Sequence, residues 1–229
     1  MTRGILIVGN DSLLCAAIAA QAARRVERFA QVLLPNRLSE QAKVLPRDPV
    51  PAPSGESGPA AIPLAWNPGS PISARTLVLS AAHQLERIDE AVLVCNPPSF
   101  RRPAAELLPL DIEILVNDHI KGWFFLVREL AQIFRARRSG TLALVVPDSP
   151  AGRDDQADLL GLSAAAAFRA FAQGLLASSL AEPYVTLGFS SQETGEDDNF
   201  AAYIFRLIDQ PNKRNSGKWY KYGRLSFFR

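Results

Sequence analysis

The chain has 229 residues, 48% hydrophobic and 21% charged, with a formal net charge of +2. That is the make-up of a soluble globular protein with room for one large α/β domain and its core, and too little for two. It argues against a disulfide scaffold, since Cys15 and Cys95 are the only cysteines, and no apolar stretch reads as a membrane span. The N-terminus enters an apolar run with no signal-peptide pattern, so the expected compartment is the cytoplasm.

Residues 5–8 form the first strand expected, leading through Gly9 and Asn10-Asp11-Ser12 into an Ala-rich helix at 13–28. A strand, a tight turn and a helix N-terminus make a place where a pyrophosphate can rest on free backbone N–H groups. The loop keeps one glycine; Leu13 and Cys15 stand where further glycines would let a backbone approach phosphate. A second strand at 30–34 is followed by Asn36-Arg37, which reads either as a plain turn or as a contact to a ribose or its 2′-phosphate.

The segment 46–71 holds eight of the 17 prolines and cannot be a helix. It places a Pro-rich insertion at about 36–60, between the second and third strands, as a surface excursion or a partner-recognition segment. Further strands are expected at 61–66, 91–95, 141–146, 184–189 and 219–222, and helices at 73–87, 110–138, 159–180 and 200–209. His83 falls on the exposed side of the helix at 73–87. The helix at 110–138 is strongly amphipathic and ends in Arg135-Ala-Arg-Arg138, which suits the negative end of its dipole.

Residues 212–229 carry six Lys/Arg and no acid, leaving the rest of the chain at about −4. Basic residues interleaved with aromatics can bind nucleic acid. The reading preferred is a last strand with a packed aromatic face and a solvated Lys/Arg face. Strands alternating with helices give a Rossmann-like, doubly wound parallel sheet of about seven strands, covered on both faces in three layers, with residues 1–229 as one domain.

In order along the chain, several blocks resemble the short-chain dehydrogenase/reductase family. Ile5-Leu-Ile-Val-Gly9 is similar to its opening strand and first glycine. Arg87-Ile-Asp-Glu-Ala-Val-Leu-Val-Cys-Asn96 is similar to the stretch before its Asn-Asn-Ala-Gly element. His119-Ile-Lys-Gly-Trp-Phe is similar to its Asn-x-x-Gly helix motif, and Gly140-Thr-Leu-Ala-Leu-Val-Val to the strand that delivers its catalytic serine. The resemblance implies NAD(P)-dependent carbonyl/hydroxyl chemistry with a tyrosine as acid/base, a lysine four residues later that lowers its pKa, a serine and an asparagine.

Carried over residue by residue, the serine place falls on Pro147, with Ser149 two residues further. The tyrosine place falls on Leu160 or Gly161, the lysine on Ala164 or Ala165, and the asparagine on His119, two residues after Asn117. The Asn-Asn-Ala-Gly element reads Cys95-Asn96-Pro97-Pro98. The catalytic candidates are therefore His119 and Ser149, and the cofactor-binding candidates Gly9, Asn10, Asn36, Arg37 and Asn96. Pro97 and Pro98 remove N–H donors from the loop flanking the ribose.

His119 reads as a structural histidine or as an acid/base or ligand-binding group on the floor of the site. Two cysteines and His119 are too few for a structural zinc site. Cys15 reads as a buried, inert thiol, and Gly161-Leu-Ser163 lacks the second glycine of a nucleophile elbow. In the resembled family the helices matching 110–138 and 159–180 form a four-helix interface. Here Phe124, Leu126, Ala166 and Phe171 would give it an apolar stripe.

Together these features favour a catalytically inactive family member without a cofactor. It would act as a homodimer or homotetramer, or beside a related active subunit, away from membranes and nucleic acid. The alternative is an NAD(P)-dependent oxidoreductase with a rebuilt site using His119 or Ser149.

Overall fold

The computed structural model describes residues 3–25, 28–34, 61–97, 100, 102–148, 158–193, 195–210 and 215–223. The expected Pro-rich insertion at about 36–60, Asn36, Arg37 and Ser149 lie outside the described residues.

Seven parallel strands form one sheet: β1 (Gly4–Asn10), β2 (Arg28–Leu34), β3 (Ile62–Pro63), β4 (Glu90–Val94), β5 (Thr141–Pro147), β6 (Val185–Ser191) and β7 (Lys218–Tyr222). Their order is β3-β2-β1-β4-β5-β6-β7. β1 and β4 are buried along their whole length, as expected of parallel strands covered on both faces, which read as continuous apolar runs rather than alternating ones.

Helices α1 (Leu13–Arg24) and α6 (Asp197–Ile208) cover one face, packing Ile18, Phe200 and Ile204 against Ile5, Val92 and Phe189. The other face carries α2 (Pro71–Gln84), α4 (Gly122–Arg137) and α5 (Leu159–Ser178), with Leu77, Trp123, Leu130 and Phe168 on Leu6, Leu93 and Leu144. α4 continues α3 (Pro109–Leu115) through a π turn at Val116–Lys121. The Gly122 N–H donates to the Asn117 carbonyl, five residues back. Gly122 is required there, because a Cβ would stand 2.6 Å from Cβ of Pro68.

The third strand is an edge strand of two residues: Pro63 lies opposite Gln31, and the Leu64 N–H donates to the Gln31 carbonyl at 3.2 Å, so the missing proline N–H is on the side away from β2. The first helix ends at Arg24, and Arg28 already opens β2. Leu126 does not belong to the exposed stripe. Two residues from exposed Phe124 is about 200° around a helix, so Leu126 falls in the core. Pro71, expected in irregular chain, is the first residue of α2, where its missing N–H costs nothing.

Sequence reading passed over one further feature. Leu159–Ala181 is long and apolar enough to cross a membrane by length and composition alone. The fold accounts for part of that: Ala164, Phe168, Ala172 and Leu176 are its buried inner face. In β7, Tyr220 stacks on Phe189, Tyr222 stacks on Phe200, and the Trp219 indole donates to Ser190. Lys218 and Lys221 are exposed, which is the packed-and-solvated strand expected.

Candidate functional site

The strand order reverses direction at β1, whose neighbours are β2 and β4. In sheets of this kind ligands bind beyond the carboxyl ends of the strands at such a point. Gly9 sits there with neighbours on three sides: a Cβ would be 2.9 Å from Cβ of Val94 and 3.2 Å from Sγ of Cys15. Asn10 closes the strand, buried, with Oδ1 making no hydrogen bond. Asp11 is exposed. Ser12 caps α1, its Oγ accepting the Cys15 N–H at 3.2 Å.

Leu13, the first residue of α1, is 68% exposed. Cys15 turns the other way, fully buried, with Gln31 at 3.8 Å. Burial pushes its thiol up to about 11; the Gln31 contact opposes the rise and the Asp11 charge adds to it. A thiol so placed is no nucleophile at neutral pH. Cys95, after β4, is buried too and its thiol is likewise raised. Asn96 and Pro97 follow, half-buried.

His119 lies in the π turn, 1% exposed, with Nδ1 making no hydrogen bond. Burial holds the imidazole neutral by lowering its pKa to about 4. Asn117, two residues earlier, accepts from the Lys121 ammonium at 3.0 Å on the surface.

Between α3 and α5 the cleft side of the sheet edge is filled. Phe100, Ile114, Leu115, Leu160 and Ala164 form a small apolar cluster separate from the two main cores. Asp158 ties it together: Oδ1 accepts the Gly161 N–H at 2.8 Å, capping α5, and the Phe100 N–H at 3.1 Å. Leu160 and Ala164 of this cluster are places where the resemblance would set a tyrosine and a lysine. After β5, Asp148 pairs with Arg169 of α5, whose guanidinium lies over Trp219.

Gly9 and Asn10 thus end β1 and Asn96 follows its neighbour β4 at one edge of the sheet, while His119 lies in the π turn between α3 and α4. Sequence reading missed Asp158 and Phe100. An aspartate just before the apolar run Leu-Leu-Gly-Leu is an N-cap signature that marks the first; nothing local marks the second. Among the described residues no group of three His, Cys, Asp or Glu could hold a metal. Two concavities lie elsewhere. One, of about 520 Å³, is lined by Glu193, Glu196, Tyr203, Arg206 and Tyr222. The other, of about 340 Å³, surrounds Asp89, Thr141 and Tyr184 at the opposite end of the strands.

Solved structures match this architecture over nearly its full length. An NADH-dependent reductase, A1-R′, complexed with NAD, is 14% identical, with a TM-score of 0.69 over 96% of this chain and 95% of that one. A short-chain dehydrogenase/reductase from Serratia marcescens BCRC 10948 is 12% identical, with a TM-score of 0.68 over 96% of each chain. A short chain dehydrogenase from Mycobacterium smegmatis is 10% identical, with a TM-score of 0.71 over 98% of this chain and 93% of that one. The chain has the short-chain dehydrogenase/reductase fold.

No family model matches it, and no curated protein matches it. The dehydrogenase/reductase scaffold is therefore carried here by a sequence far from the solved examples.

Proposed function

We propose that this chain is a catalytically inactive protein on the dehydrogenase/reductase scaffold. It works in the cytoplasm as a homodimer or homotetramer, or as a non-catalytic subunit beside a related active one. One observation carries the reading. The turn of α5 at the cleft presents Leu160, Gly161, Ala164 and Ala165. None of these can donate or accept a proton. Carbonyl reduction needs an acid at the substrate oxygen, and a positioned acid/base group contributes roughly 10²–10⁴-fold. Here that position is packed with aliphatic carbon under Phe100.

The same reading accounts for the phosphate seat. Leu13 stands over the head of α1, and Pro97 supplies no N–H after β4. A nicotinamide cofactor does not suit these residues. The assembly is supported by an apolar face across the long helices. Val116, Phe124, Leu159 and Leu162 are exposed beside the small residues Ala166, Ala170 and Gly174. Phe124 meets Phe171 at 4.2 Å between ring centres, which joins the two helices into one surface. Small residues allow a second copy to approach closely, and a symmetric pair covers the whole stripe.

A second reading is an NAD(P)-dependent oxidoreductase with a rebuilt site. It is favoured by the solved neighbour described as NADH-dependent and complexed with NAD, and by His119, a buried neutral imidazole in the π turn. The test is a panel of ketones and aldehydes with NADH and NADPH. Reduction no faster than the protein-free background is expected. Reduction that His119→Ala abolishes would establish the second reading instead.

A further inference from the structure

We propose that Asp11 and Leu13 exclude phosphate-bearing ligands from the head of α1, and that replacing these two side chains opens the seat to a nicotinamide dinucleotide. This rests on the reading above that the chain works without such a cofactor, and concerns what keeps the cofactor out.

A helix N-terminus attracts anions through its unpaired N–H groups and the positive end of its dipole. In α1 one of those groups is already spent, on the cap. The Cys15 N–H goes to Ser12 Oγ at 3.2 Å and the Ala16 N–H to the Ser12 carbonyl at 3.0 Å. Leu13 and Leu14 N–H are the donors an anion would have to use, and the Leu13 side chain stands exposed beside them.

The polar atoms around this point have the wrong sign for phosphate. Asp11 brings a carboxylate, and its charge reaches into the first turn, where it helps raise the Cys15 thiol. The buried Asn10 Oδ1, which makes no hydrogen bond, is a second acceptor. A phosphate needs donors; here it would meet a like charge and an acceptor oxygen.

Cys15 is not part of the barrier. Its thiol is tucked beneath the strand, in the space that Gly9 leaves by lacking a Cβ. Of the two side chains standing in glycine places, only Leu13 is exposed. Two members of the block, one charge and one aliphatic chain, are exposed and replaceable without touching the core.

The experiment titrates NADH, and separately inorganic pyrophosphate, into wild type, Asp11→Asn and the Asp11→Asn/Leu13→Gly double variant, followed by calorimetry. No saturation by NADH up to millimolar concentration is expected for wild type. The double variant should bind NADH tighter by at least about tenfold. Asp11→Asn alone, at an exposed position, keeps the fold and should show a smaller gain that shrinks at high salt, as screening of a surface charge requires.

Wild type binding NADH in the low micromolar range without turnover would overturn this inference and leave the inactive reading standing. Variants that keep the wild-type circular dichroism yet bind no tighter would overturn it as well. Carbonyl reduction by wild type would overturn both readings together. A double variant that binds NADH without reducing carbonyls supports the inference and leaves the inactive reading in place.

Discussion

Asp158 holds Phe100 across 58 positions of sequence, its Oδ1 accepting the Phe100 N–H at 3.1 Å while also capping α5 through Gly161. One carboxylate oxygen thus fixes both the start of a 20-residue helix and the aromatic ring that fills the cleft beside it. Asp158→Ala should lower unfolding free energy by about 2–3 kcal/mol, from the lost cap and a buried N–H left unpaired. Asp158→Asn keeps an acceptor oxygen and should cost under about 1 kcal/mol. Urea denaturation of the three proteins checks the ranking; equal losses in both variants would mean that the charge matters and the cap does not.

His119 makes stability depend on pH. Its pKa in the folded chain is about 4, below the ordinary value of about 6.5 for an unfolded histidine. The unfolded chain therefore takes up the proton first as pH falls. The stabilisation is complete above about pH 6.5 and is lost progressively down to about pH 4, by roughly 3 kcal/mol in all. Carboxylates contribute in the same range, so the measurement is the difference between wild type and His119→Met across pH 4–8. That difference should grow in favour of the variant as pH falls; parallel curves would mean that His119 titrates alike in the folded and unfolded chain.

Gly122→Ala tests the close approach of the π turn to the chain before α2. Alanine is the better helix former by about 1 kcal/mol. The added Cβ, however, would lie 2.6 Å from Pro68 Cβ and 3.2 Å from the Asn117 carbonyl oxygen. The clash should dominate and leave the variant about 1–3 kcal/mol less stable. A more stable variant in thermal unfolding would show that the Pro68 turn yields.

The assembly prediction concerns Ala166. Light scattering of wild type at micromolar concentration should give a mass above that of the 24.9 kDa chain, as a dimer or its multiple. Ala166→Glu should return the monomer, because an unpaired charge in an apolar seam is costly to desolvate. A wild-type monomer would remove the interface altogether. A dimer that survives Ala166→Glu would move it elsewhere, with β7 and its aromatics the next place to look.

Much of the fold was legible because its parallel strands are buried on both faces. Runs such as Ile5 to Val8 and Ala91 to Val94 stand out against the charged helices between them. β3 was read too long, since an apolar run does not show where an edge strand leaves its one neighbour, β2. Leu126 was placed on the wrong side because proximity to Phe124 in sequence was taken over helical phase. The place of Gly9 at the end of the first strand was legible from local pattern alone. The Asp158 to Phe100 bond was not, because it joins segments that only the folded sheet edge brings together. Nor was the opposite orientation of Leu13 and Cys15, which depends on the space under Gly9.

The π turn at Val116–Lys121 has a genetic corollary. Such a turn holds one residue more than the α-helical turn it replaces, so it is equivalent to a single inserted codon. Deleting one residue within it would restore an unbroken α-helix and leave α3 and α4 in nearly their present phase, because the wide turn already absorbs the extra residue. Ile114 and Leu115 would keep Phe100 and Leu160 as neighbours, and Asp111 would stay buried against Arg102. The change would fall on the turn itself, where buried Asp118 and His119 would lose the wide backbone that now carries them.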